Sequence, residues 1–267
     1  MDLFSHDPDK IMAALNGGSR SDLHFACECA DRIFEAVVKA GDDETLQQGF
    51  KAYRARNSYK EEYDSETGMT DLYPLSDNDL GAPPKEKTTL GRFNAPSRPV
   101  LYLSTTKEVA LAEVKAISTD RCTVAAFKTT RPLRIAKLLQ LSTPLNVFLS
   151  ESPSEDEKLR LLRARTANFV SRRVQESDRE LHYRACNLIA SAFAENGFDG
   201  IAYRTSFWSS GWRDEKRKFD EDHIFASNLV LFDTEAAIPV WSKLFRINWK
   251  RPYAEEDGNG LWQRPTE

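Results

Sequence analysis

Apolar residues recur at helical spacing in the first part of the chain and at strand spacing after it. From Asp22 to Ala40, Leu23, Ala26, Ala30, Ile33, Phe34, Val37 and Val38 form a helical stripe that Gly41 can end, and residues 9–50 as a whole read as helical. Phe50–Asn57, F-K-A-Y-R-A-R-N, then alternates as a half-buried strand does, which puts Arg54 and Arg56 on one face. Residues 58–90 are polar and show no period. Their turn signals, Tyr73-Pro74, Ser76–Asp79 and Gly81–Pro84, predict a long loop of the kind that often carries function.

The chain is organised around Gly91–Glu113. Gly91–Asn94 is a polar turn, Val100–Ser104 an apolar run that reads as a buried strand, and Thr105–Lys115 a helix in which Thr105 and Glu108 have capping-box spacing. Arg92, Tyr102 and Glu113 thus sit on a turn, a strand and a helix in quick succession, close enough to share one pocket. Beyond it, Thr123–Phe127 and Leu133–Ile135 read as strands, and Ser154–Arg173 and Asp178–Asn196 as helices, the second ended by Gly197. Gly197–Ser206 reads as a turn and a strand ending in two hydroxyls. A polar, Trp-rich excursion follows, and then a buried strand over Ser227–Asp233. Trp241, Phe245 and Trp249 predict a tail that packs on the body, with Glu255–Glu267 frayed.

Composition narrows the class. The 267 residues fit one large domain or two small ones, and 40% apolar content supplies a core. The net charge of −4 is spread among interleaved signs, which argues against direct nucleic-acid or anionic-membrane binding. No apolar run nears the roughly 18 residues of a membrane span, and the N-terminus lacks the regions of a signal peptide. Cys27, Cys29, Cys122 and Cys186 make no disulfide framework and read as reduced thiols of a cytoplasmic protein. His6, His24, His182 and His223 do not stand at ligand spacing from them, so no metal is expected.

Several short motifs, in order, resemble the RES domain family, named for an arginine, a glutamate and a serine. They are Tyr53-Arg54-Ala55-Arg56, Leu80–Pro84, Gly91–Asn94 with Val100–Leu103, Ala112-Glu113-Val114, Phe198–Tyr203 with Thr205-Ser206, and Asn228–Phe232. None is specific alone; their common order carries the resemblance. It covers residues 50–235, with a helical extension at 1–49 and the tail at 236–267 outside it. It implies an α+β fold, an ADP-ribosyltransferase-like mixed α/β domain with a central split β-sheet. It also implies an enzyme that consumes NAD by phosphorolysis or hydrolysis of the nicotinamide–ribose bond, or by ADP-ribosyl transfer, and a bacterial toxin held by a partner antitoxin. A non-catalytic nucleotide- or protein-binding domain of the same fold is the alternative.

The resemblance assigns roles that chemistry can examine. Nicotinamide leaves NAD as a neutral base, so the reaction needs stabilisation of a cationic ribose more than a general acid. Glu113 suits that task. Arg92 with Arg54, or Arg56 as its competitor, suits the pyrophosphate, because guanidinium forks bind phosphate oxygens in pairs. Tyr102 offers a ring or a hydroxyl, and Asn94 and Asn228 either hold loops or touch substrate. Thr205 stands where the family has its serine and Ser206 follows; either hydroxyl fits, and Ser206 is the one favoured. No G-x-G-x-x-G fingerprint is present, so NAD is expected as substrate, with phosphate or water as co-substrate and no cofactor.

Overall fold

The computed structural model describes residues 6–114, 121–139, 154–205, 227–247 and 254–263. It begins with two capped helices. In α1 (Pro8–Gly17) the Asp7 side chain accepts from the Lys10 amide and Pro8 takes the first turn, where a missing N–H is harmless. In α2 (Arg20–Lys39) Ser19 and Asp22 form a reciprocal capping box, and the inward stripe Ala26, Cys29, Ala30, Ile33, Ala36 and Val37 is buried.

The helical reading of residues 9–50 fails after Gly41, whose φ of 68° ends the helical path. Asp43–Leu46 is instead a strand, β1, with only Leu46 buried, so it carries no apolar pattern to read. The long loop also contains structure. After β2 (Lys51–Arg56), β3 (Lys60–Asp64) and β4 (Met69–Tyr73) form a separate two-stranded hairpin, exposed over most of both faces.

The main sheet is completed by β5 (Leu101–Ser104), β6 (Arg121–Thr129), β7 (Leu133–Leu138), β8 (Gly200–Arg204), β9 (Ser227–Leu231), β10 (Ala237–Ile247) and β11 (Ala254–Gln263). The strand order is β1-β7-β8-β9-β5-β2-β6-β10-β11. Among the described strands only β7 and β8 run parallel, and the crossover between them holds α4 (Glu155–Ser171) and α5 (Glu176–Glu195). The tail is therefore sheet: β10 pairs along β6, and β11, which was expected to fray, pairs with β10. Gly200 is required by close approach, since a Cβ there would lie 2.2 Å from the Val230 carbonyl oxygen.

Alternate residues of the strands serve different cores. Ala136, Leu138, Ile201, Tyr203 and Val230 meet α1, α2, α4 and α5 on one face. Leu133, Ile135, Ala202, Leu229 and Leu231 build the core of the other face with Leu75 and Leu80 from the loop after the hairpin. The short helix α3 (Lys107–Glu113) packs on Ala55, Cys122, Val124 and Phe245. Its cap is Thr106, whose hydroxyl accepts from the Val109 amide; Thr105, the expected cap, bonds the backbone of Ser227 instead. The fold is α+β, as expected, and the sheet is split at the β2–β5 seam. Between β2 and β5 one residue pair, Tyr53 opposite Ser104, holds the ladder, whereas β2 pairs with β6 along its whole length. Among the described residues no helix is long and apolar enough to cross a membrane.

His182 reports on the packing of α5 against α4. It is fully buried, stacks on Phe169 with ring centroids 4.4 Å apart, and donates from Nε2 to the Phe169 carbonyl at 2.9 Å. Burial pushes its pKa down to about 4, opposed by that hydrogen bond. The unfolded chain takes up the proton near pH 6.5 and the folded one only near 4, so this stability is complete above 6.5 and declines as the pH falls between those values. Between pH 7.5 and 5 the loss from this group is expected to be about 2 kcal/mol. Urea unfolding at the two pH values measures it, and His182→Phe should show a correspondingly shallower decline.

Candidate active site

The seam between β2 and β5 opens into a cleft of about 340 Å³ on the face that carries the helices. Its walls come from β2, β5, the Gly91–Arg92 turn, α3, α5, Tyr203 and Asn228. Glu113 is the last residue of α3, where the helix dipole is unfavourable to a negative charge. Two donors offset this. Thr205 donates its hydroxyl to Glu113 Oε1 at 2.5 Å, and Asn228 donates from Nδ2 to the same oxygen at 2.6 Å. Ser104 in turn donates to Asn228 Oδ1 at 3.1 Å, so the amide is fixed with its nitrogen toward the carboxylate. Thr205, Asn228 and Ser104 are all buried. Among the described residues, Oε2 of Glu113 has no protein donor.

Two arginines line the same cleft. Arg92 bonds the carbonyls of Val170 and Arg172 at the C-terminal end of α4, where the helix leaves carbonyls unpaired, and it lies 5.9 Å from the ring centroids of both Tyr183 and Tyr203. Arg54 lines the cleft from β2, although its side chain leaves the opposite face of that strand. Its Nη1 donates to the carbonyls of Leu80 and Gly81 at 3.2 and 2.6 Å. Burial, with the neighbouring charge of Arg56 second, lowers its pKa to about 9. It remains a cation at neutral pH, held by carbonyls alone among the described residues. Each fork has donors left over for an anion.

Of the residues singled out from sequence, Glu113, Arg92, Tyr102, Arg54 and Asn228 line the cleft together, and Thr205 stands behind Glu113. Arg56 does not line it; its Nη2 holds the Gly81 carbonyl at 2.6 Å beside Arg54. Asn94 is a loop brace. Its Nδ2 donates to the carbonyls of Thr89 and Ala95, and its Oδ1 accepts from the Tyr102 hydroxyl at 3.1 Å. That hydroxyl also accepts from the Phe93 amide at 2.9 Å, so Tyr102 offers the cleft its ring. Burial raises its pKa well above the ordinary tyrosine range. Gly91 is obligatory here, because a Cβ would lie 2.0 Å from Asn94 Oδ1. Ser206 lies outside the described residues.

The residues that sequence reasoning missed are Tyr183, Ser104 and Asn187. Tyr183 reads as one more apolar residue on the inner stripe of α5, yet it lines the cleft. Asn187, one turn on, donates to the Gly91 carbonyl at 3.0 Å and to the Tyr183 carbonyl at 2.6 Å, tying the arginine-bearing turn to α5. No local pattern marks either as more than a helix residue. The arrangement as a whole is a fixed carboxylate and two arginines around a partly aromatic cleft. It can take a ligand that is anionic at one end and gains positive charge at the other.

Comparison with known proteins agrees with the motif order. The family model described as the RES domain matches residues 51–250. No curated protein matches the chain. A solved structure that is similar is the crystal structure of the M. tuberculosis MbcT–MbcA toxin–antitoxin complex, at 13% identity and a TM-score of 0.39, covering 79% of this chain and 90% of that one.

Proposed function

Because the chain belongs to the RES domain family, we propose that it is an enzyme that cleaves the nicotinamide–ribose bond of NAD and acts as a bacterial toxin neutralised by a cognate antitoxin protein. The observation that carries this reading is the Glu113 carboxylate, fixed by Thr205 and Asn228 in a cleft that Arg54 and Arg92 also border. The arginines take the pyrophosphate. The ribose then lies at Glu113 and the nicotinamide ring lies against the tyrosines.

In the reaction the glycosidic C–N bond breaks with its electron pair going to the ring nitrogen, and the pyridinium leaves neutral. Positive charge passes to the ribose, where Glu113 is preorganised to meet it. An oxygen of water or of inorganic phosphate then bonds to the ribose carbon; water releases a proton, and phosphate is retained as a sugar phosphate. Thr205 fills the role of the family's hydroxyl by orienting Glu113.

Incubating the purified protein with NAD, with and without phosphate, tests the proposal. Free nicotinamide with ADP-ribose, or with its phosphorylated form when phosphate is present, is the expected result. A labelled protein acceptor would move the assignment to ADP-ribosyl transfer. Binding without loss of NAD would leave a non-catalytic domain.

A further inference from the structure

We infer that the sheet surface beside the cleft is a second binding surface, made for the base and phosphate of an adenine nucleotide; under the function proposed above, on which this identification of the ligand rests, it takes the adenosine end of NAD.

The argument starts from strand register. β2, β6 and β10 are neighbours, and residues directly opposite in antiparallel pairs share a face. Tyr53 and Trp241 both stand opposite Ala126, one on either side of it. The buried alanine between them contributes only a methyl group, so the two half-buried aromatic side chains meet above it as one patch. Their ring centroids are 6.2 Å apart at an interplanar angle of 62°, an edge-to-face contact. A planar base can stack on the face that either ring leaves to solvent.

Lysines surround the patch. Lys51 lies two residues before Tyr53 and opposite Lys128, both on the same face and both exposed. Its Nζ is 5.7 Å from the centroids of both Tyr53 and Trp241. Lys243 lies two residues after Trp241, with its Nζ 5.9 Å from that ring. In a chain of net charge −4, this is a local excess of positive charge around half-buried aromatic surface. Aromatic stacking combined with lysine contacts to phosphate is how proteins hold a nucleotide without reading its sequence.

Position ties the patch to the cleft. Tyr53 belongs to both, since it lines the cleft and pairs with Ser104 at the seam. α3 covers the adjoining part of the same face, over Ala55, Val124 and Phe245, and the patch begins where that cover ends. Two strand spacings of about 4.8 Å separate β2 from β10, so the patch extends on the order of 10 Å from the cleft wall. The cleft, at about 340 Å³, is at the small end of the roughly 300–1,000 Å³ of ligand sites and suits one half of a dinucleotide. The other half needs a surface of this kind, in this direction.

The test uses the full chain, with AMP as a probe that contains no scissile bond. Calorimetric titration should show AMP binding to the wild type, at least about tenfold weaker binding to Trp241→Ala, and near-wild-type binding to Trp241→Phe. Lys51→Glu, at an exposed position, should weaken AMP binding as well and carries the test if Trp241→Ala does not fold. In steady-state assays Trp241→Ala should raise KM for NAD about tenfold or more while kcat stays within about threefold. Cleavage of nicotinamide mononucleotide, which has no adenosine, should not change. Failure of the wild type to bind AMP overturns the inference. So do folded Trp241→Ala and Lys51→Glu variants with unchanged AMP affinity and unchanged KM. If AMP binds as expected but no NAD is cleaved, the activity assignment fails and the nucleotide surface stands.

Discussion

Glu113→Gln is expected to lower nicotinamide release at saturating NAD by about 100- to 1,000-fold, the usual effect of removing one preorganised electrostatic contact. Glutamine keeps the size of the side chain, and its amide oxygen can still accept from Thr205 and Asn228, which now meet at Oε1. What is lost is the negative charge, which matters most when the ribose turns cationic. The deficit should therefore fall on kcat, with a smaller change in KM. Thr205→Val, which removes one of the donors that aim the carboxylate, should lower kcat in the same direction by less. Expression of Glu113→Gln in bacteria without an antitoxin should permit growth. A variant with a wild-type melt that cleaves NAD within about threefold of wild type would remove Glu113 from the chemistry.

Arg92→Ala should lower kcat/KM by about 100-fold or more, because truncating one member of a desolvated charged contact costs roughly 2–5 kcal/mol. Arg92 also bonds the carbonyls of Val170 and Arg172, so some loss of stability accompanies the catalytic defect. Arg92→Lys separates the two effects. It restores the charge but not the planar fork, so activity should stay well below wild type if paired hydrogen bonding to phosphate is what matters. Arg98, exposed in the loop that follows the turn, is the control: Arg98→Ala should be within about twofold of wild type. Equal losses at Arg92 and Arg98 would point to general destabilisation.

Most elements that pack on a core were legible in sequence. The buried stripes of α2, α4 and α5 and the continuous apolar runs of β5, β6 and β9 are each set by the core they meet. The failures have a common cause. β1 buries only Leu46, and the β3–β4 hairpin is exposed over most of its surface, so neither had a pattern to show. Arg92, Tyr102 and Glu113 were found because they are close in sequence as well as in space. The network behind Glu113 joins residues 92 and 115 positions away, and only the resemblance pointed to them. Tyr183 shows the limit of periodicity. An inward-facing helix residue looks the same whether it meets a core or a cavity.

The narrow β2–β5 seam has a consequence for how the molecule yields. With one residue pair bridging it, the sheet has a mechanical weak line, and the two half-sheets can part there with little loss of backbone hydrogen bonding. The groups proposed to grip the dinucleotide lie on opposite banks: Arg54 on β2 on one side, Asn228 on β9 and Arg92 on the other. A bound ligand would act as a rivet across the line, joining two cooperative units into one. Amide exchange along β2 and β5 should slow together on binding, and subsite occupancy and breathing of the sheet become two readings of a single equilibrium.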